Sequence, residues 1–133
     1  MHNMEDELYK EYILQTYRNP RNKYAIIDPD VIGKESNTLC GDEITIYAHV
    51  HNGVVTTMSF TGDGCAISQA ASSLLTEYAK GKQLKEIQNM THKDIEQLLG
   101  ISLSMVRARC ALLPIHALRH AKKVAHNNTY VGN

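Results

Sequence analysis

Three cysteines and one aspartate are the residues of this sequence with the most distinctive chemistry. Cys40 and Asp42 flank Gly41 in the segment NTLCGDEI, Cys65 ends the segment TGDGC, and Cys110 lies in RARCALL. Thiolates are the soft ligands that hold zinc and iron–sulfur clusters, and tetrahedral zinc takes four ligands. Three thiolates and one carboxylate would therefore complete one zinc site or provide two ligands for each iron of a [2Fe–2S] cluster.

The setting of two of these cysteines favours a functional role. A single free cysteine is more often a small buried apolar residue than a ligand. Cys40 and Cys65 both lie beside glycines, which indicates loops, where ligands and nucleophiles are common. The chain has no Cys-x-x-Cys pair, which disfavours zinc ribbons, thioredoxin-like redox sites and rubredoxin-type sites. Because carboxylate is a harder ligand than thiolate, Asp42 should hold a cluster iron less firmly than a cysteine would.

Other candidate residues have simpler interpretations. His116 and His120 have the i, i+4 spacing of a helical metal site, but Arg119, Lys122 and Lys123 surround them, which favours a solvated helix face.

The segment TGDGC lacks both the Lys-Ser/Thr of a P-loop and a dinucleotide fingerprint. Asp63 within it is interpreted as a turn residue. Ser68, Ser72 and Ser73 are interpreted as close-packing residues, because no Gly-x-Ser-x-Gly elbow makes one of them a nucleophile.

The elements that must position these residues can be predicted from hydrophobic periodicity. Apolar residues at helical spacing predict a helix over 5–18, ended by an Asn-Pro pair. Two alternating runs, EITIYAHV and VVTTMSF, are joined by HNG and predict an antiparallel hairpin over 43–60, with 37–39 as a short edge segment. Helical patterns fill 66–126, with Gly81 and Gly100 as helix ends, a cap at 91–94 and Pro114 as an interruption.

This order of elements predicts an α+β fold, with a small antiparallel β-sheet covered on one face by helices. The 133 residues are expected to form a single domain, 1–133. In an antiparallel hairpin the start of one strand lies beside the end of the next. Cys40 and Cys65 should therefore meet at one end of the sheet, with Asp42 within reach.

Composition excludes several function classes. Lys+Arg and Asp+Glu number 14 each, so no overall charge favours nucleic acid or an anionic membrane. No apolar run approaches the roughly 18 residues that a membrane span needs, and the acidic N-terminal segment is unlike a signal peptide. We expect a cytoplasmic protein whose cysteines are free, metal-bound or catalytic rather than paired in disulfides.

Three segments together resemble the iron–sulfur cluster assembly proteins of the IscU/SufU/NifU N-terminal family. They are CGDEITIYAHV, FTGDGCAISQAASSLLTEYAKGK and RARCALLPIHAL, and they occur in the order of that family. The segment YKEYILQTYRNPRN is similar to the opening helix and turn of the family, especially in its SufU branch. The resemblance extends from Leu8 to about Lys123 and implies a SufE/NifU-like fold.

The resemblance implies a reaction class and its residues. Such proteins accept sulfur from a cysteine desulfurase and either assemble a transient [2Fe–2S] cluster for apo-proteins or relay the sulfur to another scaffold. Cys40, Asp42, Cys65 and Cys110 fall on the metal-binding positions of the family, which hold zinc in the SufU branch. Cys40 falls on the sulfur-acceptor position, and Gly41 is the bend that turns Cys40 and Asp42 toward one metal.

Features of both branches occur in this chain. The position before Cys110 is Arg109, where the IscU branch has histidine, and the pattern of Arg107 and Arg109 is SufU-like. Arginine is not deprotonated in proteins and cannot ligate metal, so these two residues are assigned a flanking, thiolate-stabilising role, with solvent-facing helix charges as the alternative. The short segment GKQLKEIQNMTHKDIEQLLG is IscU-like in length. The Leu-Pro-Pro-Val-Lys chaperone motif of IscU is missing, so a dedicated heat-shock chaperone is not expected.

Three functions therefore remain open at the level of sequence. The first is a scaffold that assembles a [2Fe–2S] cluster, and the second is a zinc-dependent sulfurtransferase. The third is a structural zinc domain that acts as an interaction module, although such sites are usually closed and rich in Cys-x-x-Cys pairs.

Overall fold

The computed structural model of the chain describes residues 4–39 and 41–125. A four-stranded sheet and six helices make up this part of the chain. In chain order, the elements are α1 (Met4–Arg18), β1 (Val31–Asn37), β2 (Asp42–His51), β3 (Val54–Asp63), α2 (Ala66–Ala79), α3 (Leu84–Gln88), α4 (His92–Leu99), α5 (Met105–Ala111), α6 (Leu113–Arg119) and β4 (Lys122–Lys123).

The sheet has the strand order β3-β2-β1-β4, and all its neighbouring strands are antiparallel. The central hairpin of β2 and β3 turns at Asn52 and Gly53, whose φ angles are 52° and 80°. Two consecutive residues with positive φ fit the right-handed twist of a hairpin, and Asn-Gly is the preferred pair for it. The α+β prediction, with a small antiparallel sheet and helices packed on it, is confirmed.

The first strand is longer than the predicted edge segment, which was placed at 37–39. β1 runs from Val31 to Asn37 and pairs with residues 42–48 of β2. Its sequence VIGKESN carries a glycine and four polar residues, so it lacks the apolar alternation of the other strands. Gly33 is required by packing, because a Cβ at this position would run into the backbone carbonyl of Ala117 in α6.

One face of the sheet is covered by α2 and α6. Along β2 the inward residues Ile44, Ile46 and Ala48 are fully buried. Along β3 the predicted face, which contained Val54 and Thr56, is wrong in its first half. Thr56 is an extra residue in β3 at a bulge opposite His49 and Val50, which reverses the alternation, so Val55 is buried and Thr56 is exposed.

The C-terminal helical segment, predicted to continue to 126, is divided and ends earlier. α5 ends at Ala111, and Pro114 lies in the first turn of α6, where its missing N–H costs nothing. α6 ends at Arg119 because Lys122–Lys123 pairs with Val31–Ile32 as a fourth strand. Residue 126, the predicted end, lies outside the described residues.

Helix caps follow the sequence closely in the middle of the chain. Thr91 and Asp94 form the expected capping box of α4, and Gly100 ends that helix with a φ of 78°. The short helix α3 was not predicted as a separate element. None of the helices in residues 4–39 and 41–125 has the length and apolar character needed to cross a bilayer.

Candidate metal centre

Three elements bring possible metal ligands together at one end of the sheet. Asp42 is the first residue of β2, Cys65 immediately precedes α2, and Cys110 lies in the last turn of α5. One ligand atom from each residue can be chosen so that all three lie within 4.8 Å of one another. The hairpin register pairs Glu43 with Asp63, which brings Asp42 beside Cys65 as the antiparallel topology predicts.

The carboxylate of Asp42 is almost completely buried, with 2% of the residue exposed. Its Oδ1 accepts a hydrogen bond from the backbone N–H of Cys65 at 3.0 Å. Its Oδ2 accepts a hydrogen bond from the thiol of Cys65, with Sγ at 3.5 Å. A buried carboxylate needs such donors to offset the loss of hydration, so Asp42 and Cys65 are held together before any metal binds.

Cys65 is the N-cap residue of α2, and its side chain is exposed. The N-terminus of a helix carries unsatisfied N–H groups and a partial positive charge, which stabilise anions. The side chain of Cys65 therefore lies at the positive end of α2. Sγ of Cys65 also lies 3.9 Å from Oγ of Ser68 in the first turn of α2.

Gly64 lets the chain pass close to these side chains. A Cβ at this position would lie 2.9 Å from Oδ1 of Asp42 and would run into Oγ of Ser68. Real Cβ atoms do not approach other heavy atoms so closely, so the glycine keeps space for the site.

Cys110 contributes the buried side of the group, with 4% of the residue exposed. It lies one turn beyond Arg107, whose backbone N–H is capped by the side chain of Ser104 at 3.2 Å. This cap fixes the start of a short helix that would be marginal by itself. The burial of Cys110 and the exposure of Cys65 give the group one anchored thiol and one accessible thiol.

An open groove of about 540 Å³ lies over the two thiols. α1 forms one wall, and Arg107 lies among the lining residues as the predicted flanking cation. Arg109 is exposed and is not among the lining residues. The complete lining consists of Lys10, Ile13, Leu14, Cys65, Ala66, Ile67, Ile101, Ser102, Arg107 and Cys110.

The position of Cys40 lies outside the described residues, so its place in the site stays a prediction. Its neighbour Gly41 has a φ of 72°, in the left-handed region that glycine adopts readily, and nothing lies within 4 Å of a Cβ built there. Leu39, on the other side, is 81% exposed. Gly41 therefore adopts a turn conformation at the surface, directly before the buried Asp42.

Asp63, His116 and His120 do not belong to this group of ligands among the described residues. Asp63 is exposed, but its interpretation as a turn residue is wrong, because it is the last residue of β3 and pairs with Glu43 of β2. His120 lies 3.6 Å from Oε1 of Glu35. His116 is half-buried, and this burial, with the nearby charge of Arg119, lowers the pKa of its imidazole below the usual value. Neither histidine belongs to the ligand group found among the described residues.

Two contributions to the site were missed in the sequence. The first is α1, whose residues Lys10, Ile13 and Leu14 line the groove although no motif connects them with the cysteines. The second is Ser68, which was interpreted as a packing residue. Its position three residues after Cys65, one helical turn away, was the available signal.

The donor set fits the metals that the sequence suggests. Two thiols and one carboxylate are the ligand types of zinc and iron–sulfur sites. The backbone N–H of Cys65 satisfies one oxygen of the Asp42 carboxylate, and the hydroxyl of Ser68 lies beside the Cys65 sulfur, so both ligands have the polar neighbours that are usual for metal ligands.

Comparisons with known proteins agree with this assignment. The family model of the NifU-like N terminal domain matches residues 8–129. The iron–sulfur cluster assembly scaffold protein IscU 1 of Archaeoglobus fulgidus is 36% identical over 114 residues, which cover 86% of this chain and 74% of that protein. The zinc-dependent sulfurtransferase SufU of Bacillus subtilis is 32% identical over 130 residues, which cover 85% of this chain and 88% of that protein.

Solved structures share the fold. A SufU protein of Fervidobacterium islandicum, described as an iron–sulfur cluster assembly scaffold for the SUF system, has 25% identity and a TM-score of 0.68, covering 85% of this chain and 95% of its own. The N-terminal NifU-like protein of Brucella abortus has 25% identity and a TM-score of 0.67, covering 87% and 92%.

The lengths of the two sequence alignments differ in an informative way. The alignment with IscU 1 has 114 positions, and it covers 86% of this chain. These two figures correspond to nearly the same number of residues, so the alignment opens almost no gaps in this chain. The alignment with SufU has 130 positions but covers only 85% of this chain. The remaining positions are residues of SufU that this chain lacks. The IscU scaffold protein of Thermotoga maritima has such additional residues too, because its 132 aligned positions cover 87% of this chain.

Proposed function

The chain belongs to the NifU-like N-terminal domain family, and from that premise we propose that it is an iron–sulfur cluster assembly protein. It accepts sulfur from a cysteine desulfurase and assembles a transient [2Fe–2S] cluster on Cys40, Asp42, Cys65 and Cys110 for delivery to apo-proteins. The observation that carries this proposal is the convergence of Asp42, Cys65 and Cys110 from three elements, with the two cysteines lining an open groove.

The openness of the site supports exchange rather than a structural role. Structural zinc sites are usually closed, four-coordinate and built from paired cysteines in tight loops. Here Cys65 is exposed to the groove, and the carboxylate is a weaker partner for iron than a thiolate. A cluster held in this way can be formed and released without unfolding the sheet.

The sulfur step needs a thiolate at the surface. The Cys40 thiolate would attack the outer sulfur of a desulfurase persulfide, so that a new sulfur–sulfur bond forms on Cys40 and the desulfurase cysteine leaves as a thiolate. Assembly then requires ferrous iron and an external electron donor that reduces the transferred sulfur to sulfide. Arg107 beside the groove stabilises the anions that gather there.

A zinc-dependent sulfurtransferase of the SufU type is the second candidate. Arg109 precedes Cys110, as in the SufU pattern, and SufU of Bacillus subtilis matches over most of its length. In this case Asp42, Cys65 and Cys110, with Cys40, would hold a zinc ion, which supplies no redox chemistry and keeps the thiols deprotonated. The almost gap-free match to the IscU 1 scaffold protein of Archaeoglobus fulgidus supports the cluster scaffold as the first candidate.

We place the protein in the cytoplasm as one domain, 1–133, whose partners are the desulfurase and the recipient apo-proteins. The ligands come from residues 42 to 110 and α1 lines the same groove, which supports one folding unit. Neither a nucleic acid nor a membrane is part of this function, and we expect no dependence on a dedicated heat-shock chaperone.

The substitution Cys40→Ala tests the sulfur-acceptor role. With a cysteine desulfurase and cysteine, the parent should gain one sulfur atom, seen by mass spectrometry, and should stimulate alanine release, whereas Cys40→Ala should do neither. Thr38→Ala is the matched control, because Thr38 is exposed in the same loop and carries no thiol.

Full sulfur acceptance by Cys40→Ala would contradict the acceptor role.

Metal analysis and absorption spectra of protein purified without oxygen separate the two candidates. An iron–sulfide chromophore supports the scaffold, and one zinc ion per chain in a protein that stimulates the desulfurase supports the relay.

A further inference from the structure

Ser68 occupies an unusual place for a residue that only fills space. It is fully buried in the first turn of α2, one turn beyond Cys65. Its hydroxyl donates a hydrogen bond to the backbone carbonyl of Cys65 at 3.1 Å. The same oxygen lies 3.9 Å from Sγ of Cys65, within reach of a sulfur hydrogen bond.

We propose that Ser68 is a positioning residue for the Cys65 ligand. Its hydroxyl holds the Cys65 backbone at the start of α2 and donates a hydrogen bond to Sγ once this sulfur is a metal-bound thiolate. The inference rests on the proposed function, because it concerns the metal-loaded state of that site.

The need for a donor follows from the hydrogen bonds of the metal-free site. There the thiol of Cys65 donates a hydrogen bond to Oδ2 of Asp42 at 3.5 Å. Metal binding releases this proton to solvent and makes the sulfur an acceptor. A carboxylate has no hydrogen to give and carries charge of the same sign as the thiolate.

Ser68 can meet this need without a rearrangement of the chain. In the described part of the chain, Sγ of Cys65 forms hydrogen bonds with two side chains, those of Asp42 and Ser68. Of these two, only Ser68 carries a hydrogen that it can donate. Rotation of its hydroxyl turns that hydrogen from the carbonyl of Cys65 toward the sulfur. The backbone N–H of Cys65 is already used by Oδ1 of Asp42.

The packing around Ser68 keeps its oxygen in place. Gly64 lies so close that a Cβ there would run into Oγ of Ser68. The hydrogen bond from the same oxygen to the backbone carbonyl of Cys65 at 3.1 Å keeps it beside the sulfur.

Ser72 is a matched control for the alternative that Ser68 only stabilises α2. Both serines are fully buried in α2, and both donate to a backbone carbonyl three or four residues earlier. Among the described residues, the hydroxyl of Ser72 forms its hydrogen bond with the backbone of Ser68 and none with Cys65. A purely structural effect should therefore appear equally in both alanine variants.

The experiment compares Ser68→Ala with Ser72→Ala in three measurements on the full chain. Zinc affinity is measured by competition with a chromophoric chelator, and urea unfolding of the metal-free proteins measures the structural cost. Cobalt(II), bound in place of zinc, reports the sulfur-to-metal charge-transfer band, whose energy falls when a thiolate loses a hydrogen bond.

We expect Ser68→Ala to bind zinc about tenfold more weakly than the parent, as is typical when a hydrogen-bond partner of a metal ligand is removed. Its cobalt charge-transfer band should move to longer wavelength. Ser72→Ala should keep the affinity and the band of the parent, while its urea midpoint should fall by about as much as that of Ser68→Ala.

Equal zinc affinities and identical cobalt spectra for the two variants would overturn the role of Ser68 while leaving the proposed function intact. Failure of the parent itself to bind zinc, cobalt or a reconstituted iron–sulfur cluster would overturn both, because no metal-bound thiolate would then exist. The two failures are therefore distinguishable in one set of measurements.

Discussion

At the residue before Cys65, the backbone passes between a carboxylate and a hydroxyl. Gly64 lies against both Asp42 and Ser68, and these two side chains contact Cys65. Most of the ligand geometry is thus decided by contacts of one or two atoms rather than by the bulk of the core. Small changes in volume at this point should affect metal binding more than folding.

Gly64→Ala tests this point. The added methyl group would displace the carboxylate of Asp42 and the hydroxyl of Ser68, so we expect zinc affinity to fall at least about tenfold. Overpacking should also cost about 1–3 kcal/mol in the free energy of unfolding.

Gly53→Ala is the control for Gly64→Ala. Its φ of 80° makes alanine strained at a cost of about 1–2 kcal/mol, but nothing lies within 4 Å of the added Cβ. Chelator competition measures affinity and urea unfolding measures stability. If the two variants bind zinc equally, Gly64 is not needed for the site.

At the scale of elements, the connection between α1 and the sheet determines how the groove wall is held. After α1 the chain runs beside β3, where the backbone N–H of Phe60 donates to the carbonyl of Asn22 at 2.9 Å. The side-chain amide of Asn22 donates to Thr76 at 3.2 Å and to Glu77 at 3.1 Å, and its oxygen accepts from Lys80 at 3.2 Å. One asparagine therefore links α1, β3 and α2.

Asn22→Ala should weaken this junction. The variant loses the hydrogen bonds to α2 and keeps a φ of 62°, which asparagine tolerates better than alanine. Asn52→Ala, at a φ of 52° in the hairpin turn, carries the same backbone penalty. We expect Asn22→Ala to lose about 1–2 kcal/mol more stability than Asn52→Ala in urea unfolding.

The difference between these variants should depend on pH. The hydrogen bond from Asn22, followed by the hydrogen bond and charge of Lys80, holds the pKa of Glu77 below its usual value. A lowered carboxyl pKa stabilises the fold above the unfolded-state pKa, and this contribution is lost as pH falls through the folded-state value. The additional cost of Asn22→Ala should therefore be smaller at acidic pH, and a cost that is constant with pH would contradict this assignment.

At the scale of the whole molecule, the candidate metal centre joins parts of the chain that are distant in sequence. Asp42 belongs to the sheet, Cys65 to the start of the longest helix on it, and Cys110 to a short helix near the end of the described chain. A metal bound to all three would connect these layers at one end of the fold. Binding to the folded state alone stabilises a protein by mass action.

Removal of zinc should therefore lower the melting temperature. At a free zinc concentration of about a thousand times Kd, the stabilisation is about 4 kcal/mol, which corresponds to a shift on the order of 10 °C for a domain of this size. Differential scanning calorimetry with and without chelator measures the shift. Cys110→Ala should melt at the same temperature in both conditions, and an unchanged melting temperature for the parent would contradict a shared site.

What could be predicted from the sequence is what depends on local order. The approach of Asp42 to Cys65 follows from the hairpin, because alternation and the Asn-Gly turn define which strand ends meet. The cap at Thr91 and the end of α4 at Gly100 follow from single-residue preferences. The identity of the ligand types needs only their chemistry.

The tertiary structure alone decided the rest, because it depends on packing between distant residues. β1 forms from a polar segment because β2 supplies its partners, and Lys122–Lys123 becomes a strand because β1 has a free edge, where periodicity predicted a helix. Cys110 reaches Asp42 and Cys65 only through the packing of α5 beside α2. Residues of α1 form one wall of the groove beside the two cysteines. Helical periodicity indicates which face of a helix is buried but not which surface it packs against, so no local pattern contains these contacts.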